Sequence, residues 1–183
     1  MARLAALSSA DLSPEQQELL TSLQSAGRAT ITGPYSVLIR VPEIGAIIRD
    51  LSFRMRTRTR LADRLFEVMV LTVARSWSAQ YEWYAHEPGA RKAGVSEAAI
   101  EALRAGRADP PFTQEDERIV FTFTDELVRT KHVSDPTYAR ALTIFGEELL
   151  IELVAAIGFY NLISVVLNAF DVAIPDGKPL PLQ

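Results

Sequence analysis

The sequence predicts an all-α protein, a helical bundle, on three observations. Apolar residues recur at spacings of three and four along most of the chain, the period of a helix face that packs on a core. A capping side chain followed by proline, the signature of a helix start, stands at Ser13-Pro14 and again at Ser134-Asp135-Pro136. No glycine-rich phosphate loop, strand-to-helix nucleophile elbow or fixed-period repeat is present in the sequence.

Taken in order, Ser13-Pro14-Glu15-Gln16 opens a first helix through a capping box, Gly27 ends it, and Leu19, Leu20 and Leu23 give it a narrow apolar stripe. Gly33-Pro34 breaks the chain. Tyr35 to Val41 has strand-like content, but Pro42 argues against a strand and opens a helix over Glu43 to Arg56, marked by Ile44, Ile47, Ile48, Leu51 and Met55. The basic run from Arg54 to Arg60 reads as a connection between helices. Leu61 to Trp77 is helical, Ser76 to Ser78 breaks it, and Ala79 to Ala93 is the next helix, with Pro88 expected to kink it just after His86. Ser96 opens a short helix to about Gly106, and Ala108 to Phe112 is a loop. Thr113 to Asp116 starts a helix ending near Lys131. Ser134 starts one to Phe145, and Gly146 opens the last, to about Phe170. The proline-rich tail is extended, with Ile174, Leu180 and Leu182 available to dock it. This organisation divides into an N-terminal helical arm, residues 1–57, and a helical core with its tail, residues 58–183, within one structural domain.

Composition excludes several classes of function. A chain of 183 residues buries an adequate core without disulfides or structural metal. A net charge of −4 argues against nucleic acid and anionic membrane surfaces as partners. The absence of cysteine removes thiol nucleophiles, redox pairs and thiolate metal sites. The opening residues do not form a convincing signal peptide, and Glu152 and Asn161 interrupt the long apolar run from Leu149. A cytoplasmic protein with no membrane span is the expectation.

The chemistry-bearing stretch runs from Glu67 to Gly94. Glu67 lies among Leu65, Phe66, Val68 and Met69, where a carboxylate is costly to desolvate and needs a partner or a purpose. Glu82 and His86 are four apart on one helix face, within reach of each other. A short connection between consecutive helices makes them antiparallel neighbours, which brings Glu67 toward His86. The three are candidate acid-base residues, with the imidazole as proton shuttle. Arg60 and Arg64 are candidates to hold an anionic substrate, and Tyr81 and Trp83 to line its pocket. The alternatives are an exposed pair for Glu82 and His86, and for Glu67 an ion pair with Arg64 or Arg75. Two carboxylates and one imidazole would make only a weak metal site, so no metal is expected. Asn161 and Asn168 are buried-polar candidates that face either the pocket or a neighbouring helix.

These residues resemble the carboxymuconolactone decarboxylase and alkylhydroperoxidase-D family of all-helical proteins. The peroxidase branch has Glu, eleven residues, Cys, two residues, Cys, three residues, His; counted from Glu67 this gives Ala79, Glu82 and His86. With both cysteines absent and Glu82-Trp83 in the region of the second, the chain is similar to the decarboxylase-type branch over roughly Leu61 to Phe170. The resemblance implies an alkylhydroperoxidase-D-like bundle that assembles as a homo-oligomer, commonly a trimer or hexamer, with a dimer also possible. It further implies a site near a subunit boundary and cofactor-free decarboxylation, or related lyase or isomerase chemistry, of a small anionic lactone or keto acid. A non-catalytic protein that binds a small molecule or assembles on the same fold is the alternative. A peroxidase label is expected by similarity only, since thiolate chemistry needs cysteine.

Overall fold

The computed structural model describes residues 3–25, 31–175 and 178–183, and every regular element among them is a helix. After a single 3-10 turn come α1 (Pro14–Ser25), α2 (Tyr35–Leu38), α3 (Pro42–Thr57), α4 (Asp63–Ser76), α5 (Gln80–Lys92), α6 (Glu97–Arg104), α7 (Glu115–Thr130) and α8 (Asp135–Ala169). The capping box at Ser13 forms as the sequence predicts: Gln16 N–H donates to Ser13 Oγ at 3.3 Å, and Ser13 N–H to Gln16 Oε1 at 3.0 Å. The expected terminator of α1, Gly27, lies outside the described residues.

The bundle is built around α4. Its residues from Leu65 to Ala74 are all buried, so this helix has no solvent face over that length and must be surrounded. Helices α5, α7 and α8 surround it, with α6 beside them. Leu19, Leu20 and Leu23 of α1, with Tyr35, Ile39 and Ile48, join the same continuous apolar core. Each such side chain contributes about 2 kcal/mol of burial energy. Helix α3 packs tightly on α1 and α2: a Cβ on Gly45 would lie 2.6 Å from a Leu19 methyl and 2.9 Å from the Leu38 carbonyl oxygen.

Local expectations hold at some points of the folded chain and change at others. Residues Tyr35–Leu38 form a turn of helix, in keeping with the argument from Pro42 against a strand. Arg54 and Arg56 stay inside α3, so the basic connection begins only at Arg58. Helix α5 continues through Pro88 to Lys92, and Pro88 faces solvent, where water can hydrate the Tyr84 carbonyl that proline leaves unbonded. The break expected at Gly146 is present: with φ 70° and ψ 170° it kinks α8 into two helical segments. That helix is long and apolar enough to cross a membrane by length and composition, but here Leu150, Leu153, Ile157 and Ile163 pack into the core.

The connection between α4 and α5 fixes the geometry of the site. Ser78 takes a left-handed conformation, φ 49°, and reverses the chain within three residues. Two asparagines of α8 hold this turn: Asn161 Oδ1 accepts from Trp77 Nε1 at 2.6 Å, and Asn168 Nδ2 donates to the Trp77 carbonyl at 2.6 Å. Both asparagines thus serve helix packing. The tail returns to the same corner, where Gln80 exchanges two hydrogen bonds with the Leu182 backbone at 2.8 and 2.9 Å. Ile174 and Leu182 are buried there, while Leu180 is exposed.

Candidate active site

The helical period places Glu82 and His86 on one face of α5, and the tight Ser76 to Ser78 turn lays that face against Glu67 of α4. His86 Nδ1 lies 2.7 Å from Glu67 Oε2, and His86 Nε2 lies 3.2 Å from Glu82 Oε1. The imidazole is therefore held at both nitrogens by carboxylates. All three residues are buried, at 8% exposure for Glu67, 4% for Glu82 and 5% for His86. The Tyr160 ring stands edge-on to the imidazole, with centroids 5.2 Å apart and planes at 89°.

Burial alone would drive the imidazolium toward its neutral form. The hydrogen bonds that the ring donates to Glu67 and Glu82, and the charges of the two carboxylates, outweigh that desolvation and raise the pKa of His86 from 6.5 to about 9. At neutral pH the ring is a cation that donates from both nitrogens, and a proton can leave it from either side. Gly89 makes the arrangement possible. A Cβ at that position would lie 2.7 Å from Glu67 Oε1 and would push the carboxylate out of its present place.

Glu82 and His86 border a cavity of about 510 Å³, between α3, α5 and α8. Tyr35, Phe53, Tyr81, Phe159 and Tyr160 give it aromatic walls. Glu67 borders a smaller pocket of about 270 Å³, together with Gly89 and Lys92. The three acid-base residues form a row between the two. Among the described residues no group of His, Asp and Glu is arranged to hold a metal ion. Both imidazole nitrogens are already taken up by carboxylates, which leaves no lone pair for one.

Of the residues expected to bind substrate, Tyr81 lines the larger cavity, packed against Gly33, where a Cβ would lie 2.4 Å from its ring. Arg60 and Arg64 do not line it. Arg60 forms ion pairs with Glu148 and Glu152 of α8, at 2.7 and 3.1 Å. Arg64 reaches Asp116 of α7 through two hydrogen bonds, at 2.9 and 2.5 Å. Trp83 is fully buried and does not line the cavity; its Nε1 donates to Glu87 at 3.0 Å and its ring lies under Arg104. Glu67 pairs with neither Arg64 nor Arg75. The arginines at the cavity are Arg49 and Arg56, both from α3. Their signal was present in the sequence: Arg49, Ser52, Phe53 and Arg56 follow the three-and-four spacing of one helix face.

The chain has the all-helical fold of the alkylhydroperoxidase-D type and carries no cysteine. Residues 42–119 match the model of the carboxymuconolactone decarboxylase family. Among solved structures it is similar to an uncharacterized peroxidase-related protein from Ralstonia eutropha with the alkylhydroperoxidase AhpD core, at TM-score 0.76 and 14% identity over 96% of this chain and 93% of that one. An uncharacterized peroxidase-related protein from Silicibacter gives TM-score 0.73 and 16% identity, over 96% and 92%. The debrominase Bmp8, solved with 2,3,4-tribromopyrrole, gives 0.76 and 15%, over 96% and 95%. At these identities the likeness is one of fold. No curated protein is significantly similar to the sequence.

Proposed function

We propose that the chain is a carboxymuconolactone decarboxylase-like enzyme, a cofactor-free acid-base catalyst that removes carbon dioxide from a small anionic lactone or keto acid. The observation that carries this reading is the buried Glu67–His86–Glu82 row bordering a cavity of about 510 Å³. In the proposed step the bond from the ring or chain carbon to the carboxylate breaks, carbon dioxide leaves, and the electron pair moves onto an adjacent carbonyl as an enolate. The His86 imidazolium delivers a proton to the carbon that lost the carboxylate, directly or through Glu82. The charge left on the carbonyl oxygen is stabilised by the positive side of the cavity. Glu67 holds the ring and favours its reprotonation by solvent water, which supplies the proton consumed in each turnover. Peroxide reduction by thiolate has no cysteine to use in this chain.

We further infer a homo-oligomer in the cytoplasm. In support, Ile44, Ile47 and Leu51 on the outer face of α3, and Ile151, Val154, Leu162 and Val165 on that of α8, are exposed apolar side chains in rows. The test of the activity is a panel of β-keto acids and carboxylated lactones incubated in heavy water and followed by NMR. Release of carbon dioxide, with one deuterium on the carbon that lost it, is expected and should vanish in His86→Gln. Binding in the cavity without turnover of any member would favour a non-catalytic ligand-binding protein.

A further inference from the structure

We propose that Arg49 and Arg56 form a carboxylate clamp on the α3 wall of the larger cavity, and that the ligand is an organic acid with a flat, apolar body. The proposal rests on the reading above in taking this cavity as the site, and it names the ligand class and the residues that select it.

Five residues of α3 at the spacing of one helix face, Arg49, Ser52, Phe53, Arg56 and Thr57, line the cavity. Two turns separate the arginines, a rise of about 10 Å, with a hydroxyl and an aromatic ring between them. They differ in how they are held. The Arg49 guanidinium is anchored on one side, with ion pairing to Asp50 at 2.8 Å and a hydrogen bond to Ser22 Oγ at 2.5 Å. Arg56 has no carboxylate partner among the described residues, whereas Arg60, Arg64 and Arg91 each have two. A guanidinium left without a carboxylate beside an aromatic-walled cavity is matched in geometry to a carboxylate brought by a ligand, since its fork donates two parallel hydrogen bonds.

The remaining walls set the body of the ligand. Tyr35, Phe53, Phe159 and Tyr160 offer ring faces and edges, which favour a planar apolar group over a hydrated polar one. Glu82 shares the wall with His86. Its charge penalises a doubly charged phosphoryl group more than a singly charged carboxylate, so the anion is a carboxylate. The clamp and the acid-base row thus stand on α3 and α5, on different helices lining one cavity, and an acid held by the first presents its adjacent carbons to the second.

The experiment is calorimetric titration of the full chain with four probes: benzoate, its neutral isostere benzamide, acetate and phenyl phosphate. Benzoate is expected to bind about tenfold or more tightly than each of the others. Arg56→Gln, a change at an exposed residue, should remove about that advantage while the melting temperature stays the same, and Arg49→Gln should act in the same direction. Equal binding of benzoate and benzamide, tighter binding of phenyl phosphate, indifference of benzoate to Arg56→Gln, or no detectable binding of any probe would each overturn the proposal. Failure of the acid-base reading is a separate result: benzoate discrimination through Arg56 persists while no acid in the panel is turned over.

Discussion

Gly89 offers a substitution whose sign separates two effects. In a helix interior, replacing glycine by alanine is worth about 0.5–1 kcal/mol of added stability, because the unfolded chain loses freedom. Gly89 lies inside α5 with a helical backbone, so on propensity alone Gly89→Ala should stabilise the protein. The new Cβ, however, would stand 2.7 Å from Glu67 Oε1 and 3.1 Å from its Cδ. The carboxylate must move, and its other oxygen is the partner of His86 Nδ1 at 2.7 Å. A charge-assisted bond of this kind contributes about 1.5–3 kcal/mol, so the net effect at pH 7 is a loss of roughly 1–2 kcal/mol. Above the folded-state pKa of His86, about 9, the bond loses its ionic character and the cost of displacing Glu67 shrinks. The assay is urea unfolding of both proteins at pH 7 and at pH 10. A variant that gains stability at pH 7, with the same difference at pH 10, would refute the claim that Glu67 is held in place by a charged His86.

Other outcomes follow from the same geometry. The folded-state pKa of His86 lies above its ordinary 6.5, so the stability it contributes is complete below that pH and is lost as pH rises through about 9; unfolding titrations from pH 6 to 10 should show the decline, and His86→Gln should abolish it. The raised pKa corresponds to about 3 kcal/mol of preference for the charged ring, and Glu67→Gln should remove a large part of that decline. In a double-mutant cycle, His86→Ala and Glu67→Gln should each cost nearly as much turnover as the pair together, whereas additive losses would mean the two act independently. Ile47→Glu and Ile151→Glu, at side chains 65% and 61% exposed, should leave the fold intact but lower the mass measured by light scattering; an unchanged oligomer, or a wild-type monomer, would remove the assembly from this account.

The parts of the site legible in the sequence were those set by local rules. Four-residue spacing placed Glu82 beside His86, and a three-residue break between helices brought Glu67 to the same ring. What failed was partner choice across the fold. Arg60 and Arg64 read as free cations near the site, but Glu148, Glu152 and Asp116, far along the chain, take them up. No spacing rule reports such neighbours. On α3 the apolar stripe marked a helix correctly, yet Ile44, Ile47 and Leu51 are exposed while Gly45, Ile48, Arg49 and Ser52 face inward to varying depth. Periodicity identifies a face and leaves open what covers it. Trp83 was drawn to the pocket by its neighbours in sequence, but residues 82 and 83 point about 100° apart on a helix, and only one of them reaches the cavity.

The central claim, a histidine cation held between two carboxylates at the edge of a cavity, is open to one direct measurement. The chain has two histidines, and His86 is the one in contact with two carboxylates, so a nitrogen-15 NMR titration of the imidazoles resolves it. Both nitrogens of His86 should carry protons at pH 7, with a midpoint near 9 that falls in Glu67→Gln. A neutral ring at pH 7 in the wild-type protein would contradict the account.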